Sequence, residues 1–548
     1  MATSISWARG SLLQAEQLIP CVSFLFTLLL FTVSTGSASP IGVPDLQQCE
    51  PAMDVSPTNQ TMMLTLNCCL PIPAHKPRVF SFHKYKSKPR VRQAAHTVSD
   101  AYIAKYTRAY ELMKALPDDD PRSFHTQAKI HCAFCNFAYR QAGNTSVPLQ
   151  VHFSWLFLPW HRWYLYWHER ILQSLLGDPT FTLVFWNWDD QRDGGNVMPA
   201  MFVPNGTALY DRNRNQNNLP PALVKLSPTT TGNDSVEIVN QNLNDMYRDV
   251  VTATTAELFM GDAYRTGTDI TNSTVITAPL EGLIEGGVHN GIHYWTGDPN
   301  LTLMQDMGTF TTASRDPIFY AHHSNVDRLW DKWKYDLPGG PRADHNDSDF
   351  LDAEFYFYDE KARLVKVTVR DALDNSKLGI SYPSVAADEL WVNYDPPVMS
   401  NGSAVEAARA VGVATMGAAP QNGTIFLGSG RSAIVKAPSF PPSTTTKATV
   451  LVIQGLQVTR RSFVSLTAFV NLPSANALTD TSTAEYLGTF NIIPTASIKY
   501  SHLTTNVMFE ISNNMQRIGI THEHEVVITM VVTGVEPVSI QGLLIENV

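Results

Sequence analysis

Apolar and polar positions along the 548-residue chain change their period twice. Residues 18–33 (LIPCVSFLFTLLLFTV) are apolar almost without a break, and small residues from Ser34 to Ser39 follow. From about 93 to 340 the apolar positions recur every three to four residues, the helical period. Ser99 and Asp100 can cap a helix through Leu116, stopped by Pro117, and residues 124–140 read as a second helix. Pro159 suits the first turn of a third helix with an aromatic and aliphatic face, and Asp316-Pro317 opens a fourth over 318–336. Beyond about 350 the period falls to two. FYFYDE, RLVKVTVRD, ATVLVIQGLQV, SFVSLTAFVNL, YLGTFNIIP, NVMFEISN and HEVVITMVVTGV read as short strands with turns between them. The predicted organisation is a leader at 1–38, a mainly α domain at 39–394 built as a helical bundle, a linker at 395–447 rich in Pro, Gly, Ser, Thr and Ala, and an all-β domain at 448–548, sandwich or jelly-roll-like.

Composition narrows the function classes. With 44% hydrophobic and 16% charged residues the chain can bury a large core and is not a disordered tail. Forty Lys+Arg against fifty Asp+Glu give a net charge of −10 with no long basic stripe, which excludes a nucleic-acid partner. The apolar leader, about 16 residues, is shorter than the roughly 20 a membrane span needs. Gly36 and Ala38 fit the −3 and −1 positions of a signal-peptidase site, so cleavage before Ser39 is expected, with no membrane span in the mature chain. Nine N-x-[ST] sequons, at Asn59, Asn144, Asn205, Asn233, Asn272, Asn300, Asn346, Asn401 and Asn422, agree with a secreted glycoprotein. The expected destination is the secretory pathway, extracellular, apoplast or vacuole, rather than the chloroplast lumen.

Six cysteines stand at 21, 49, 68, 69, 132 and 135. Loss of the leader leaves five, which predicts two disulfides and one odd sulfur. A bridge between the neighbours Cys68 and Cys69 would strain the backbone, so each is expected to find its own partner. Cys132-Ala-Phe-Cys135 has no second C-x-x-C for zinc and no βαβ setting for redox work, which leaves one of its sulfurs for another task.

Of sixteen histidines, six fall into two sets of three: His131, His152 and His161, then His289, His293 and His323. His289 and His293 are four apart on a predicted helix and share a face, but lack the Glu of H-E-x-x-H. Asp327, four residues after His323, is placed to orient an imidazole. His322 and His323 cannot both point one way, so one is a ligand and the other structural. A lone histidine among Phe134, Trp155, Phe157, Trp160 and Trp163 is ordinarily a core residue bonded to backbone. Two triplets on helical segments point instead to metal. Imidazole ligands without carboxylates favour a dicopper centre over a di-iron one. His75, His83, His96, His125, His168, His345 and His502 find no ligand role, nor do His522 and His524, which share a strand face.

These stretches carry a resemblance. H131-C-A-F-C135, H152-x8-H161-R-W-Y-L-Y, W186-N-W-D, H289-N-G-I-H293-x-W-T-G-D and D316-P-I-F-Y-A-H-H323-S-N-V-D-R-L-W resemble plant polyphenol oxidases, the type-3 copper family of tyrosinases and catechol oxidases. The likeness runs from about 45 to 395. It continues more loosely to the C-terminus, where residues 448–455 and E485-Y-L-G-T-F490 look like the family's β-rich shielding domain. The resemblance implies two copper ions per chain, one on His131, His152 and His161 and one on His289, His293 and His323. It implies disulfides Cys49–Cys69 and Cys68–Cys132, and a thioether from Cys135 to His152. It implies catalytic roles for Phe310 as the gate over the second copper, Glu285 as the acid that holds a water, and Asn290 in the action on monophenols.

The implied activity is oxidation of o-diphenols to o-quinones with dioxygen, together with ortho-hydroxylation of monophenols, in a latent proenzyme shielded by its C-terminal domain. Phenolic small molecules and dioxygen would be its partners, and a protease cutting the linker its activator. The alternative is a hemocyanin-like dioxygen-binding protein that uses the same copper chemistry without turnover.

Overall fold

The computed structural model describes residues 39–548 apart from 57–58, 60–61, 73–74, 83–87, 233, 273, 400–403, 418–423, 428–430, 437–447, 496–498, 521–524 and 535. The expected leader and its cleavage site, Cys21, His83, the His522 and His524 pair, and the sequons at Asn233, Asn401 and Asn422 lie outside the described residues.

Helix boundaries follow local chemistry. In α1 (Asp100–Lys114) the Ser99 side chain accepts from the Tyr102 amide, and an acid opens and a base closes the helix, as its dipole favours. α2 (Phe124–Cys135) starts on a Ser123 cap but stops at Cys135 rather than at 140. Phe137 takes φ 61°, which an α-helix cannot hold, and Arg140–Gln141 turns into a short antiparallel ladder with Asn144–Pro148. α3 (Phe157–Leu176) closes on Gly177 at φ 67°. α4 (Ser235–Met246) runs on into a π-helical turn, Tyr247–Val251. After α5 (Ala256–Met260) a second π-helical turn, Glu285–His289, leads into α6 (Asn290–Thr296). α7 (Ile318–Tyr335) begins where the Asp316 carboxylate accepts from the Ile318 amide at 2.9 Å.

Two disulfides, Cys49–Cys69 and Cys68–Cys132, tie the N-terminal strap to α2, so the neighbouring cysteines do take separate partners. Cys135 is a buried free thiol.

α3 and α7 cross through a buried ion network. Arg162 donates from Nε to Asp327 Oδ1 at 2.5 Å and from Nη2 to Asp331 at 2.8 Å. Asp327 Oδ2 also takes Arg92 at 3.2 Å, the Tyr382 hydroxyl at 2.5 Å and Asn375 at 3.2 Å. The expectation that Asp327 orients an imidazole is therefore corrected, because two arginines, a tyrosine and an asparagine take its oxygens. Burial alone would raise its carboxyl, but Arg162 and Arg92 overcome that and hold it below the ordinary range.

The C-terminal half forms two packed sheets. Its elements are β1 (Thr271–Asn272), β2 (Val275–Thr277), β3 (Thr415–Met416), β4 (Ile425–Leu427), β5 (Arg431–Lys436), β6 (Thr449–Thr459), β7 (Val464–Val470), β8 (Tyr486–Ile492), β9 (His502–Glu510), β10 (Glu525–Thr533), β11 (Val538–Ile540) and β12 (Gly542–Asn547). One sheet runs β3-β5-β10-β7-β8 and the other β4-β11-β6-β9-β2-β1, with β12 also on β6. Thr415–Met416, Ile425–Leu427 and Arg431–Lys436 fall inside the stretch read as a linker, yet they belong to these sheets. There RSAIVK pairs along its whole length with β10, exposed at Arg431 and Lys436 and buried at Ala433, Ile434 and Val435, a short apolar run that the Pro, Gly and Ser around it obscured. β1 and β2 come from the helical half. β2 pairs in parallel with β9, Val275 against His502 through Thr277 against Thr504, so the two halves share a sheet.

Asp327→Asn should lower the unfolding free energy of the metal-free chain by about 3 kcal/mol, since it leaves two buried guanidiniums short of a counter-charge. The denaturant midpoint measures it, and Arg162→Met with Asp327→Leu should recover part of the loss.

Candidate metal centre

Two buried clusters of nitrogen donors face each other at the heart of the helical half. In the first, ligand atoms of His131, Cys135, His152 and His161 lie within 4.8 Å of one another, and in the second so do those of His289, His293, His322 and His323. α2 carries His131 and Cys135, α3 carries His161, and the irregular segment between them carries His152. The second π-helical turn and α6 carry His289 and His293, and α7 carries the tandem pair. His161 and His323 stack at 4.2 Å between ring centres and 6° between planes, which brings the clusters together. Phe157 packs between them, 4.6 Å from His161 and 4.7 Å from His289.

Hydrogen bonding fixes which ring nitrogen is bare. His131 Nδ1 lies 2.9 Å from the Phe310 carbonyl, His161 Nδ1 2.8 Å from that of Phe157, His289 Nδ1 3.2 Å from that of Glu285, and His293 Nδ1 2.6 Å from that of Met307. A carbonyl oxygen only accepts, so each Nδ1 carries the proton and each Nε2 presents a lone pair. His152 Nδ1 meets Glu285 Oε1 at 2.8 Å, and that oxygen also accepts from the Phe153 amide at 3.0 Å. The Nε2 atoms of His161, His289, His293 and His323 are buried without a partner. Those of His131 and His152 face each other at 3.4 Å, acceptor against acceptor. A buried polar atom left this way is costly, and a cation between the lone pairs removes the cost.

The tandem pair separates on the same logic. Trp188 donates from Nε1 to His322 Nδ1 at 3.2 Å, so the His322 proton sits on Nε2 and that nitrogen has no lone pair to offer. His323 has neither nitrogen bonded and is oriented by stacking on His161 and by Phe319 at 4.2 Å. His168 lies apart, stacked on Tyr320 and 3.2 Å from the Tyr110 hydroxyl.

The remaining site residues surround the donors. Phe310 stacks closer to His152, at 4.2 Å, than to His293, at 6.4 Å, so its ring leans over the first cluster rather than the second. Its own carbonyl is spent on His131, which draws the segment that way. Glu285 keeps Oε2 buried and unbonded. Asn290 donates from Nδ2 to the Asn491 carbonyl of β8 at 2.8 Å and keeps Oδ1 free. Phe490 beside it packs where a Gly286 side chain would stand. The sequence motifs include Trp188, in W186-N-W-D, but not its bond to His322, nor the contacts of β8 with Gly286 and Asn290. It read His289 on a plain helix, although the Gly286–Gly287 pair marked a break there.

Burial keeps these rings neutral. It pushes His161 down to about 3 and His293 to about 4, and holds His131, His152, His289, His322 and His323 well below 6.5.

Comparison with known proteins adds three family matches and several relatives. Residues 121–336 match the common central domain of tyrosinase, 344–397 the polyphenol oxidase middle domain, and 424–547 the chloroplastic polyphenol oxidase C-terminal domain. The chain is 40% identical to "Polyphenol oxidase, chloroplastic" of Malus domestica, over 90% of this chain and 82% of that protein. It is 37% identical to "Catechol oxidase B, chloroplastic" of Solanum tuberosum, over 93% and 85%. Among solved structures it is similar to latent apple tyrosinase, at TM-score 0.78 and 39% identity over 86% of this chain and all of that one. It is also similar to a latent aurone synthase, at TM-score 0.82 and 32% identity over 93% and 99%. The secretory destination expected from the N-terminus is corrected by these relatives. Those from Malus domestica, Prunus armeniaca, Vitis vinifera and Solanum lycopersicum are all named chloroplastic, which points to the chloroplast. An apolar leader and a permissive three-residue sequon carry too little information to outweigh full-length similarity. Among the described residues no helix is long and apolar enough to cross a membrane.

A histidine whose folded value lies below its unfolded value takes up protons on unfolding, so it destabilises the fold as pH drops below the unfolded value. The metal-free chain should therefore lose stability as pH falls from 6.5 towards about 4 and then about 3, where the last rings protonate in the folded state too. Denaturant midpoints across that range check it, and a flat profile would contradict it.

Proposed function

We propose that this chain, which belongs to the plant polyphenol oxidase family, oxidises o-diphenols to o-quinones with dioxygen and ortho-hydroxylates monophenols. Family membership rests on similarity over most of the chain and of its relatives. The observation that carries the chemistry is the set of bare Nε2 lone pairs, four without partners and two opposed at 3.4 Å. Neutral imidazoles without carboxylate ligands suit copper. His131, His152 and His161 would hold one ion and His289, His293 and His323 the other. When bound, the pair supplies dioxygen activation and two-electron oxidation of the phenol.

The surrounding residues place the substrate and move its proton. Phe310 offers an aromatic face for the phenol ring. Glu285 Oε2 and Asn290 Oδ1, both free and buried, can hold a water that takes the phenol proton. The Cys135 sulfur, inside the first cluster, would lock His152 through a thioether, a two-electron oxidation for which dioxygen is the oxidant. The relatives named above are oxidases, and no observation favours a dioxygen carrier.

The C-terminal sheets cover this centre, with Phe490 against Gly286 and Asn491 on Asn290, so the form described is latent. A protease would release it by cutting between Val392, where the last helix of the catalytic half ends, and Ala404. A cut nearer 447 would leave β3, β4 and β5 on the wrong side, torn from the sheets they complete.

Dioxygen uptake by the copper-loaded chain, intact and cut ahead of Ala404, tests the reading. Uptake with both a monophenol and a diphenol, rising after the cut, is expected. No uptake from either form with two coppers bound would overturn it. Asn290→Ala should lower monophenol uptake about 100-fold and leave diphenol uptake within about tenfold.

A further inference from the structure

The Gly287–Val288 peptide unit sits in the π-helical turn between Glu285 and His289, and both its polar ends are held by side chains from elsewhere. Its N–H donates to Asp249 Oδ2 at 2.8 Å. Its C=O accepts from Asn491 Nδ2 of β8 at 3.1 Å. Gly287 breaks the helix there, with φ −90° and ψ −111°, and this rotates the peptide towards Asp249. The fit admits only glycine: a Cβ at 287 would stand 1.8 Å from Asp249 Oδ2. Asp249 is itself buried in the other π-helical turn, Tyr247–Val251. Two π-turns, each rare on its own, thus meet at one hydrogen bond.

That bond stands directly before a metal donor. Val288 precedes His289, and Glu285, at the start of the same turn, holds His152 of the first cluster. Without an acceptor at 249 the turn could relax towards a regular α-helix, which would rotate His289 by part of a turn relative to His293. Asn491 cannot substitute, because it belongs to the domain that leaves on activation.

From this geometry we infer that Asp249 is a positioning residue for the second metal triad: its carboxylate fixes the Gly287–Val288 peptide and so the direction of the His289 lone pair. The inference rests on the metal reading above. After the shield departs, Asp249 alone holds the peptide.

The test is copper binding by the full chain, measured as affinity for each of the two ions by equilibrium dialysis, with hydrogen exchange at the Val288 amide in the copper-free chain. Asp249→Leu keeps the shape without an acceptor, and Gly287→Ala drives the carboxylate off from the other side. Both should weaken the second ion 10- to 100-fold while the first is retained, and Val288 exchange should quicken. Asp249→Asn, which can still accept, should hold both ions as the wild type does. Asp245→Asn, whose partner is Tyr486 and not the turn, should do the same. If Asp249→Leu does not fold, Gly287→Ala carries the test. Two ions held at wild-type affinity by both disrupting variants would overturn the inference, as would equal weakening of both ions or an Asp249→Asn chain as weak as Asp249→Leu. A wild-type chain that binds fewer than two coppers would instead overturn the metal reading beneath it.

Discussion

An imidazole that binds metal through Nε2 is held by an acceptor at Nδ1, and five of the six rings here have one, four of them a backbone carbonyl, which places heavy demands on the backbone. Carbonyls inside an α-helix are already taken by the amide four residues on. Phe157, in the first turn of α3, lends its second lone pair to His161 Nδ1, and the other carbonyls come from where that pattern is disturbed: the π-helical turn at Glu285, and the irregular segment that supplies Met307 and Phe310. In that segment Leu303, Met304 and Asp306 all take positive φ, a costly conformation for residues with a Cβ. The strain has an evident use, because the same few residues deliver two carbonyls to two different clusters and place Phe310 beside them.

Bare lone pairs facing one another also repel, so the surrounding shell must hold the rings while no ion is there. Aromatic packing does much of this: Phe157 and Phe319 each touch rings of both clusters. Arg162, next to His161, and Asp327, four residues after His323, lock α3 to α7 behind the rings. The Cys68–Cys132 bridge ends beside His131. All three devices are covalently adjacent to a donor or one helical turn away, so little slack separates the clamp from the nitrogen it steadies.

Much of this was legible in the sequence, because helix caps and histidine spacing are local signals. Ser99 and Asp316 mark their helix starts by chemistry that acts within four residues. The tandem histidines left two candidates open, since the choice depends on Trp188, more than a hundred residues away. Asp327 misled for a related reason. Its helical position faces the rings in projection, but Arg92 and Arg162 compete for it and neither is near in sequence. The linker reading failed where short strands were diluted among Pro, Gly and Ser, whose pairing partners lie a hundred residues downstream. The π-turns left only the double glycine as a trace.

The contact between the two halves explains how a shield can be both close and removable. Beside apolar contacts such as Tyr294 on Phe463 at 3.8 Å and Phe137 with Tyr500 at 5.0 Å, it carries many hydrogen bonds: Asn244 donates to the Thr481 and Thr483 carbonyls, Arg248 to those of Leu487 and Glu510, Tyr486 to Asp245, and Asn290 to Asn491. Each such bond contributes about 1 kcal/mol net, because water replaces it on separation. A wholly apolar contact of the same extent would hold more tightly and leave a larger aggregating face behind. The exchange is less simple at β2, whose parallel pairing with β9 leaves an open strand edge when the shield departs. That edge is only three residues long, and a two-residue strand, β1, covers its other side. A short edge of this kind gives another chain little to pair with, so the catalytic half can lose its cover without acquiring a template for aggregation.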